Sequence, residues 1–407
     1  MSFSSTIKKL GPGFLFAGAA IGVSHLVQST RAGADFGMGL LWALLLINLA
    51  KYPFFEFGPR YAMATGESLL EGYKKMGRPA LIAYFIITLA TMFTIQTAVT
   101  IVTAGIASSL FGGADTTLWS AVITGICFMI LILGRYKFLD TLMKIIIVCL
   151  TLSTLIAVIL ALKNAEDVSW SQTIPQSAVG IGFLIAFMGW MPAPLDISIW
   201  HSMWTLEKKK IATDITAKQS RFDFNVGYLA TTFLAICFVL LGGLVMFGSG
   251  EQFSSSGGVF ANQLIQMYTT NLGDGAFYVI GIAALTTMFS TTLTTLDASP
   301  RAMARTTELL TERKYPSAYL VWLLILVVGT TMIFVFLTRV EGLMGLLIQI
   351  ATVLSFLTAP FYAWLNFRLV TSKHMPQEHK PSKPLYLLGW IGMVTLIGFS
   401  IWYLFTL

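Results

Sequence analysis

The stretch FLFAGAAIGVSHLVQ, residues 14–28, opens as an apolar helix and is interrupted at Gly22-Val23-Ser24-His25. A second stretch, FMGWMPAPLDIS at residues 187–198, is interrupted by Met191-Pro192-Ala193-Pro194, about five hydrophobic segments further along. In lipid a spanning helix satisfies its own backbone amides and carbonyls, so a break is tolerated only against protein or a water-filled cavity. Two breaks at matching positions of two halves predict a transporter with its binding site near the bilayer midplane.

Composition agrees. Hydrophobic residues fill 56% of 407 positions and charged residues only 11%, and the mean hydropathy is +0.77. Such values exclude a soluble globular enzyme and indicate a polytopic membrane protein embedded in the lipid bilayer. Lys8 and Lys9 precede an apolar stretch that runs past residue 30 without a small-residue cleavage site, so it is expected to be a retained span. The net charge of +7 does not signal nucleic acid, because the basic residues lie in short loops between apolar runs. Cys127, Cys149 and Cys237 all fall inside apolar runs and lack metal-ligand spacing.

With roughly 20 residues per span, helices are predicted near 13–34, 39–63, 80–107, 118–134, 141–162, 177–203, 225–248, 275–298, 317–337, 342–367 and 385–406. The fold is therefore expected to be all-α, multi-pass, with about 11 transmembrane helices. With a cytoplasmic N-terminus, the inner loops collect Lys74, Lys75, Arg78, Arg135, Lys137, Lys208, Lys209, Lys210, Lys218, Arg221, Arg301, Arg305, Arg313, Lys314, Lys373, Lys380 and Lys383. The outer loops hold Lys163 and Arg339, together with Asp35, Asp115, Glu166, Asp167 and Glu251. This asymmetry obeys the positive-inside rule and places the C-terminus outside a plasma (inner) membrane. The longest outer connection is the Gly/Ser-rich segment 249–271.

Spans one to five (13–162) and six to ten (177–367) each begin with a discontinuous helix. That is the order of a five-plus-five inverted repeat, within a single transporter domain over 1–407, with 385–406 as an added helix.

Gly11-Pro12-Gly13-Phe14-Leu15, Phe36-Gly37 with Leu40-Leu41-Trp42, and Ala64-Thr65-Gly66-Glu67-Ser68-Leu69 resemble the NRAMP divalent-metal transporters. His201-Ser202 in the sixth span and Gln349 in the tenth continue the resemblance over most of the chain. It implies a LeuT-type fold and secondary active transport.

The departures from that family are informative. Metal-transporting members carry Asp-Pro-Gly-Asn at the first break, where Asp and Asn oxygens bind the ion; here Gly22, Val23, Ser24 and His25 take those places. The family's Met-Pro-His-Asn at the sixth-span break supplies a thioether, a soft ligand. Counting back from His201-Ser202 puts Pro194 at the methionine, whereas using Met191-Pro192 needs a three-residue insertion. Either alignment leaves the site without its first-span carboxylate.

A half-helix that begins at a break points amides and partial positive charge into the cavity, which suits an anion. The expected substrate site is Gly22, Val23, Ser24, His25, Pro192, Ala193, Pro194, Gln96 and Gln349. Gly22 permits close backbone approach, Ser24 adds a hydroxyl, and His25 either donates to substrate or is satisfied by backbone. Arg31, two turns along, faces the cavity, snorkels outward or pairs with Asp35. Lys51 and Glu56 are expected to neutralise each other or a neighbour, while Arg60 and Lys144 snorkel.

Asp196 either caps the second half-helix or offers a cation a hard oxygen, and with His201 it forms a candidate cation or proton site. Thr287, Thr291 and Thr295 share one face of the eighth span, and Ser290, Thr294 and Asp297 the next. In LeuT-type folds sodium commonly sits between the first break and eighth-span hydroxyls. The resemblance thus implies Gly22, Ser290, Thr291 and Thr294 as coupling-ion ligands. Thr97, Thr100, Thr103, Thr352 and Ser355 are expected beside the same cavity.

The sequence thus predicts a secondary transporter of a small inorganic solute, with no resident cofactor and sodium as coupling ion. A small anion such as bicarbonate comes first. The alternatives are a divalent cation, magnesium or manganese, moved with or without protons, and a membrane solute sensor.

Overall fold

The computed structural model describes residues 11–113, 116–134, 136–164, 168–250, 253–254, 257–273, 277–337 and 343–406. Lys8, Lys9, Asp115, Arg135, Glu166, Asp167, Glu251 and Arg339, and the side chains of Lys137, Lys144 and Cys149, lie outside the described set.

The regular structure of the described residues is all helical, with no strand among them. The first span is α1 (Pro12–Ala20), a π-helical turn (Ser24–Ser29) and α2 (Thr30–Phe36). α3 (Leu41–Thr65), α5 (Arg78–Phe111), α6 (Thr116–Leu133) and α7 (Tyr136–Asn164) complete the first five, with the short α4 (Leu69–Met76) between α3 and α5. The sixth span is divided into α8 (Ala178–Trp190) and α9 (Ile197–Ile211). α10 (Ala217–Val245), α11 (Gly257–Leu272), α12 (Phe277–Thr311), α13 (Ala318–Leu337), α14 (Leu343–Thr371) and α15 (Lys383–Leu404) follow. Seven of these helices are individually long and apolar enough to cross a bilayer, and the two broken spans with α3 and α7 bring the number to about eleven. The protein is an all-α, multi-pass membrane protein.

Two helices were not expected. α4 starts at Ser68, whose hydroxyl accepts from the Leu70 amide while Glu71 accepts from the Ser68 amide at 2.9 Å, a reciprocal cap. It buries Leu69, Leu70 and Tyr73 on one face. α11 occupies most of the segment read as a loop at 249–271.

The broken spans are clasped by their neighbours through small residues. A Cβ on Gly33 would lie 2.1 Å from the Val239 carbonyl, and one on Gly242 would lie 2.2 Å from that of Thr30, so α2 and α10 cross backbone to backbone. At Gly189 a Cβ would meet the Thr352 carbonyl at 2.1 Å, which seats the end of α8 on α14. Asp223 of α10 accepts from the Gly11 amide at 3.1 Å and the Gly13 amide at 2.7 Å, capping the first turn of α1. The ends of both breaks are therefore fixed by packing and by a cap.

Candidate functional site

The first break begins where α1 ends at Ala20. The Gly22 carbonyl accepts from both the His25 amide at 3.1 Å and the Leu26 amide at 2.9 Å, at three- and four-residue spacing, where the chain enters the wider π-helical turn Ser24–Ser29. The Gly22 amide itself makes no hydrogen bond among the described residues. At the second break the chain runs extended through Met191, and α9 restarts with Ile197, Ser198 and Ile199 donating three residues back.

A pocket opens between these two breaks. Ala19, Ala20, Gly22, Val23 and Ser24 form one wall, and Trp190, Pro194, Ile197 and Trp200 form the opposite one. Ile95 and Val99 of α5 and Thr291 and Thr295 of α12 close the sides. The lining is mostly apolar, carries three hydroxyls and contains no carboxylate. Trp190 donates its indole N–H to Ser355 at 2.8 Å, whereas the Trp200 indole nitrogen is buried without a partner among the described residues.

Gly22, Val23, Ser24, Pro194 and Thr291 thus stand together, and the other expected residues stand elsewhere. His25 is turned toward α10: Nε2 lies 2.9 Å from the Thr231 carbonyl and Nδ1 2.7 Å from Ser24 Oγ. Pro192 and Ala193 lie behind the pocket wall, with the Ala193 carbonyl bound to Lys51 at 3.3 Å. Gln96 is spent on Thr295, which donates to its carbonyl oxygen at 2.7 Å, and on the Thr292 carbonyl at 3.3 Å. Gln349 is exposed, beside Gly182, and does not line the pocket.

The coupling-ion set is also redrawn. The Gly22 carbonyl accepts from two amides, those of His25 and Leu26. Ser290 and Thr294 are buried without partners among the described residues but do not line the pocket. Thr291 Oγ1 sits 3.2 Å from the Gly18 carbonyl, 3.1 Å from that of Ile21 and 3.2 Å from that of Thr287. A hydroxyl offers one hydrogen, so more acceptors converge there than it can serve.

Asp196 stands at the start of α9 yet makes no side-chain cap, and its Oδ1 is buried and unpartnered among the described residues. It faces away from the pocket, toward Lys51, Tyr84 and Tyr362, whose electrostatics it shares. His201 is fully buried and stacks on Phe16 and Phe224 at 5.6 Å each, inside aromatic packing and not on a vestibule.

Lys51 is the residue that sequence reasoning misplaced. Fully buried on α3, it donates to the carbonyls of Met188 at 2.9 Å, Gly189 at 2.6 Å and Ala193 at 3.3 Å. Its ammonium therefore covers the electronegative end of α8. Glu56, its expected partner, is paired with Arg60 one turn on at 2.6 Å. Asp35 lies in the field of Arg31, but among the described residues no ion pair joins them and Arg31 Nε is buried without a hydrogen-bond partner. Among the described residues no three His, Cys, Asp or Glu side chains converge as a metal-ligand group.

The family model described as natural resistance-associated macrophage protein-like matches residues 13–406. The chain belongs to the NRAMP family. It is 34% identical to an uncharacterised Pasteurella multocida protein, over 98% of this chain and 92% of that one. It is 35% identical over 77 residues to a Mycobacterium tuberculosis protein named divalent metal cation transporter, a match covering 19% of this chain and 18% of the relative. Its fold is similar to that of an Eremococcus coleocola manganese transporter, with a TM-score of 0.76, 16% identity, and 98% and 86% of the two chains covered. The NRAMP assignment makes this chain a transporter of a small ion substrate built on the LeuT-type fold.

Proposed function

We propose that this NRAMP-family transporter carries a small planar monoanion, with bicarbonate as the reference substrate, in a sodium-coupled cycle. One observation carries the reading. The carbonyl end of the broken sixth span, which would otherwise draw a cation, is already occupied by Lys51 Nζ, which donates to three of its carbonyls. What remains at the pocket is the free Gly22 amide and the apolar faces of Trp190 and Trp200, beside the hydroxyls of Ser24, Thr291 and Thr295, whose hydrogens are directed to protein acceptors in this structure. Divalent manganese or magnesium takes carboxylate or other electron-rich oxygen ligands in number, and this lining has no carboxylate.

Sodium is assigned to the carbonyls of Gly18 and Ile21 with Thr291 Oγ1. Unwound first-span carbonyls are the kind of ligand that holds such an ion in these folds. The basic end of the molecule is assigned to the cytoplasmic side of the plasma membrane on the positive-inside rule.

Divalent-cation transport is the second reading, favoured by the names of the relatives and by the unpartnered Asp196 oxygen. Calorimetry on the purified protein separates the two. Bicarbonate should bind in the presence of sodium, and manganese should give no saturable micromolar heat. A micromolar manganese site removed by Asp196→Ala supports the second reading instead.

A further inference from the structure

The hydrogen atoms around His25 can be counted. Nε2 lies 2.9 Å from the Thr231 carbonyl, which only accepts, so Nε2 carries a hydrogen. Ser24 Oγ lies 2.7 Å from the Ala20 carbonyl and 2.7 Å from His25 Nδ1. The hydroxyl has one hydrogen. If it goes to Ala20, Nδ1 must bring a hydrogen of its own and the ring is an imidazolium. If it goes to Nδ1, Ser24 Oγ and the Ala20 oxygen face each other at 2.7 Å with nothing between them. Only the doubly protonated ring satisfies all three contacts.

We propose that His25 is the proton-carrying residue of the transport cycle, protonated when the anion is bound and neutral when the anion has left. The step is balanced by one proton. The imidazole gains H⁺ at Nδ1, the Ser24 hydroxyl hydrogen swings from Nδ1 to the Ala20 carbonyl, and release reverses both moves. Ser24 and Ala20 line the substrate pocket, so the swing occurs in its wall.

No other charged side chain supplies the balancing charge. Of the elements packed on this turn, α8 carries no titratable residue. On α10, Tyr228 spends its hydroxyl on the Asn48 carbonyl at 2.6 Å, and Cys237 lies beyond Thr231 toward Tyr268. On α2, Asp35 lies in the field of Arg31. None of these, nor Lys51 or Asp196, contributes to the electrostatics at the ring. A buried cation is costly without a counter-charge. The bound monoanion is that counter-charge, so proton and anion favour each other's binding reciprocally. The cargo in this statement rests on the anion reading, whereas the proton site itself does not.

The test uses the full-length protein in nanodiscs, uniformly ¹⁵N-labelled at histidine. The His25 resonances are assigned by comparison with His25→Gln, and formate serves as the probe anion because it does not interconvert with a gas. His25 should show both ring nitrogens protonated at pH 5.5 with formate and a single protonated Nε2 at pH 8 without it. Ser24→Ala, which removes the acceptor for Nδ1–H, should lower the imidazolium population at fixed pH about tenfold, as expected for a hydrogen bond to a charged group. In proteoliposomes containing a pH dye, formate should acidify the lumen faster than it does in protein-free vesicles, and His25→Gln should abolish that excess. A ring that stays neutral across the range with formate present overturns the proposal. A ring that titrates identically with and without formate, in vesicles that take up none, leaves the proton site standing and removes the anion reading alone.

Discussion

The Lys51 ammonium lies 2.6 Å from the Gly189 carbonyl oxygen, joining the second span to the broken end of the sixth. Met188 and Ala193 accept from the same nitrogen. Lys51→Met keeps the volume and leaves these carbonyls without their donor inside the protein. A loss of about 3 kcal/mol is expected, read as a lowered midpoint of thermal unfolding in detergent. Lys51→Arg, which keeps the charge, should lose less. Equal stability of Lys51→Met and the parent would show that the ammonium does not hold the break.

Thr291 joins α12 to the first break through the Gly18 and Ile21 carbonyls. Thr291→Ala removes the only side-chain oxygen of the assigned sodium site and should raise the sodium concentration for half-maximal uptake about tenfold, the equivalent of one ligand interaction. Thr291→Ser should stay within a few-fold of the parent. Uptake indifferent to sodium in the unmodified protein would cancel this assignment.

Gly22 has no room for a side chain, since a Cβ there would lie 2.8 Å from Thr291 Oγ1 and 2.9 Å from its Cγ2. Gly22→Ala should therefore impair transport, and Thr291→Ser, which lacks the methyl, should restore part of it in the double variant. Gly22→Asp should be worse than Gly22→Ala. At 4 Å two like charges repel by about 4 kcal/mol at an effective dielectric near 20, so the added carboxylate should nearly abolish anion uptake. Full transport by a folded Gly22→Asp protein would place the anion elsewhere.

Asp223 holds the start of α1 by accepting from two amides, those of Gly11 and Gly13. Asp223→Ala should cost about 2 kcal/mol, at the upper end for a lost helix cap, with Asp223→Asn in between because it keeps an acceptor. Unfolding midpoints of the three proteins check the order. Equal midpoints would mean that water satisfies the two amides as well as Asp223 does.

The spans were readable because an apolar window of membrane length is a strong signal, and each predicted span has a helix at its position. Their ends were less so. α10 starts at Ala217, where Thr216 and Gln219 form a reciprocal cap in a polar stretch that hydropathy ignores. α4 was missed for the same reason: its outer face is polar, and only Leu69, Leu70 and Tyr73 mark the buried one. α11 was hidden by the Gly/Ser-rich residues before it.

Of the site, Gly22 to Ser24 and Pro194 were legible because a break inside a span is costly and therefore visible. Trp190, Trp200, Ile95 and Val99 were not, since apolar residues that line a pocket look in sequence like those that face lipid. Lys51 announced itself as a charge within a span. Its partners did not, because backbone carbonyls have no residue signature, and the nearby Glu56 drew the pairing that belongs to Arg60.

On the proposed function, the pocket between the two breaks receives an anion and not a metal ion. Uptake into proteoliposomes under an imposed sodium gradient, comparing labelled bicarbonate with radioactive manganese, tests it most directly. Sodium-dependent, saturable accumulation of bicarbonate with manganese no higher than in empty vesicles is the expected result. Saturable manganese uptake that is lost in Asp196→Ala, with no accumulation of bicarbonate, would contradict it.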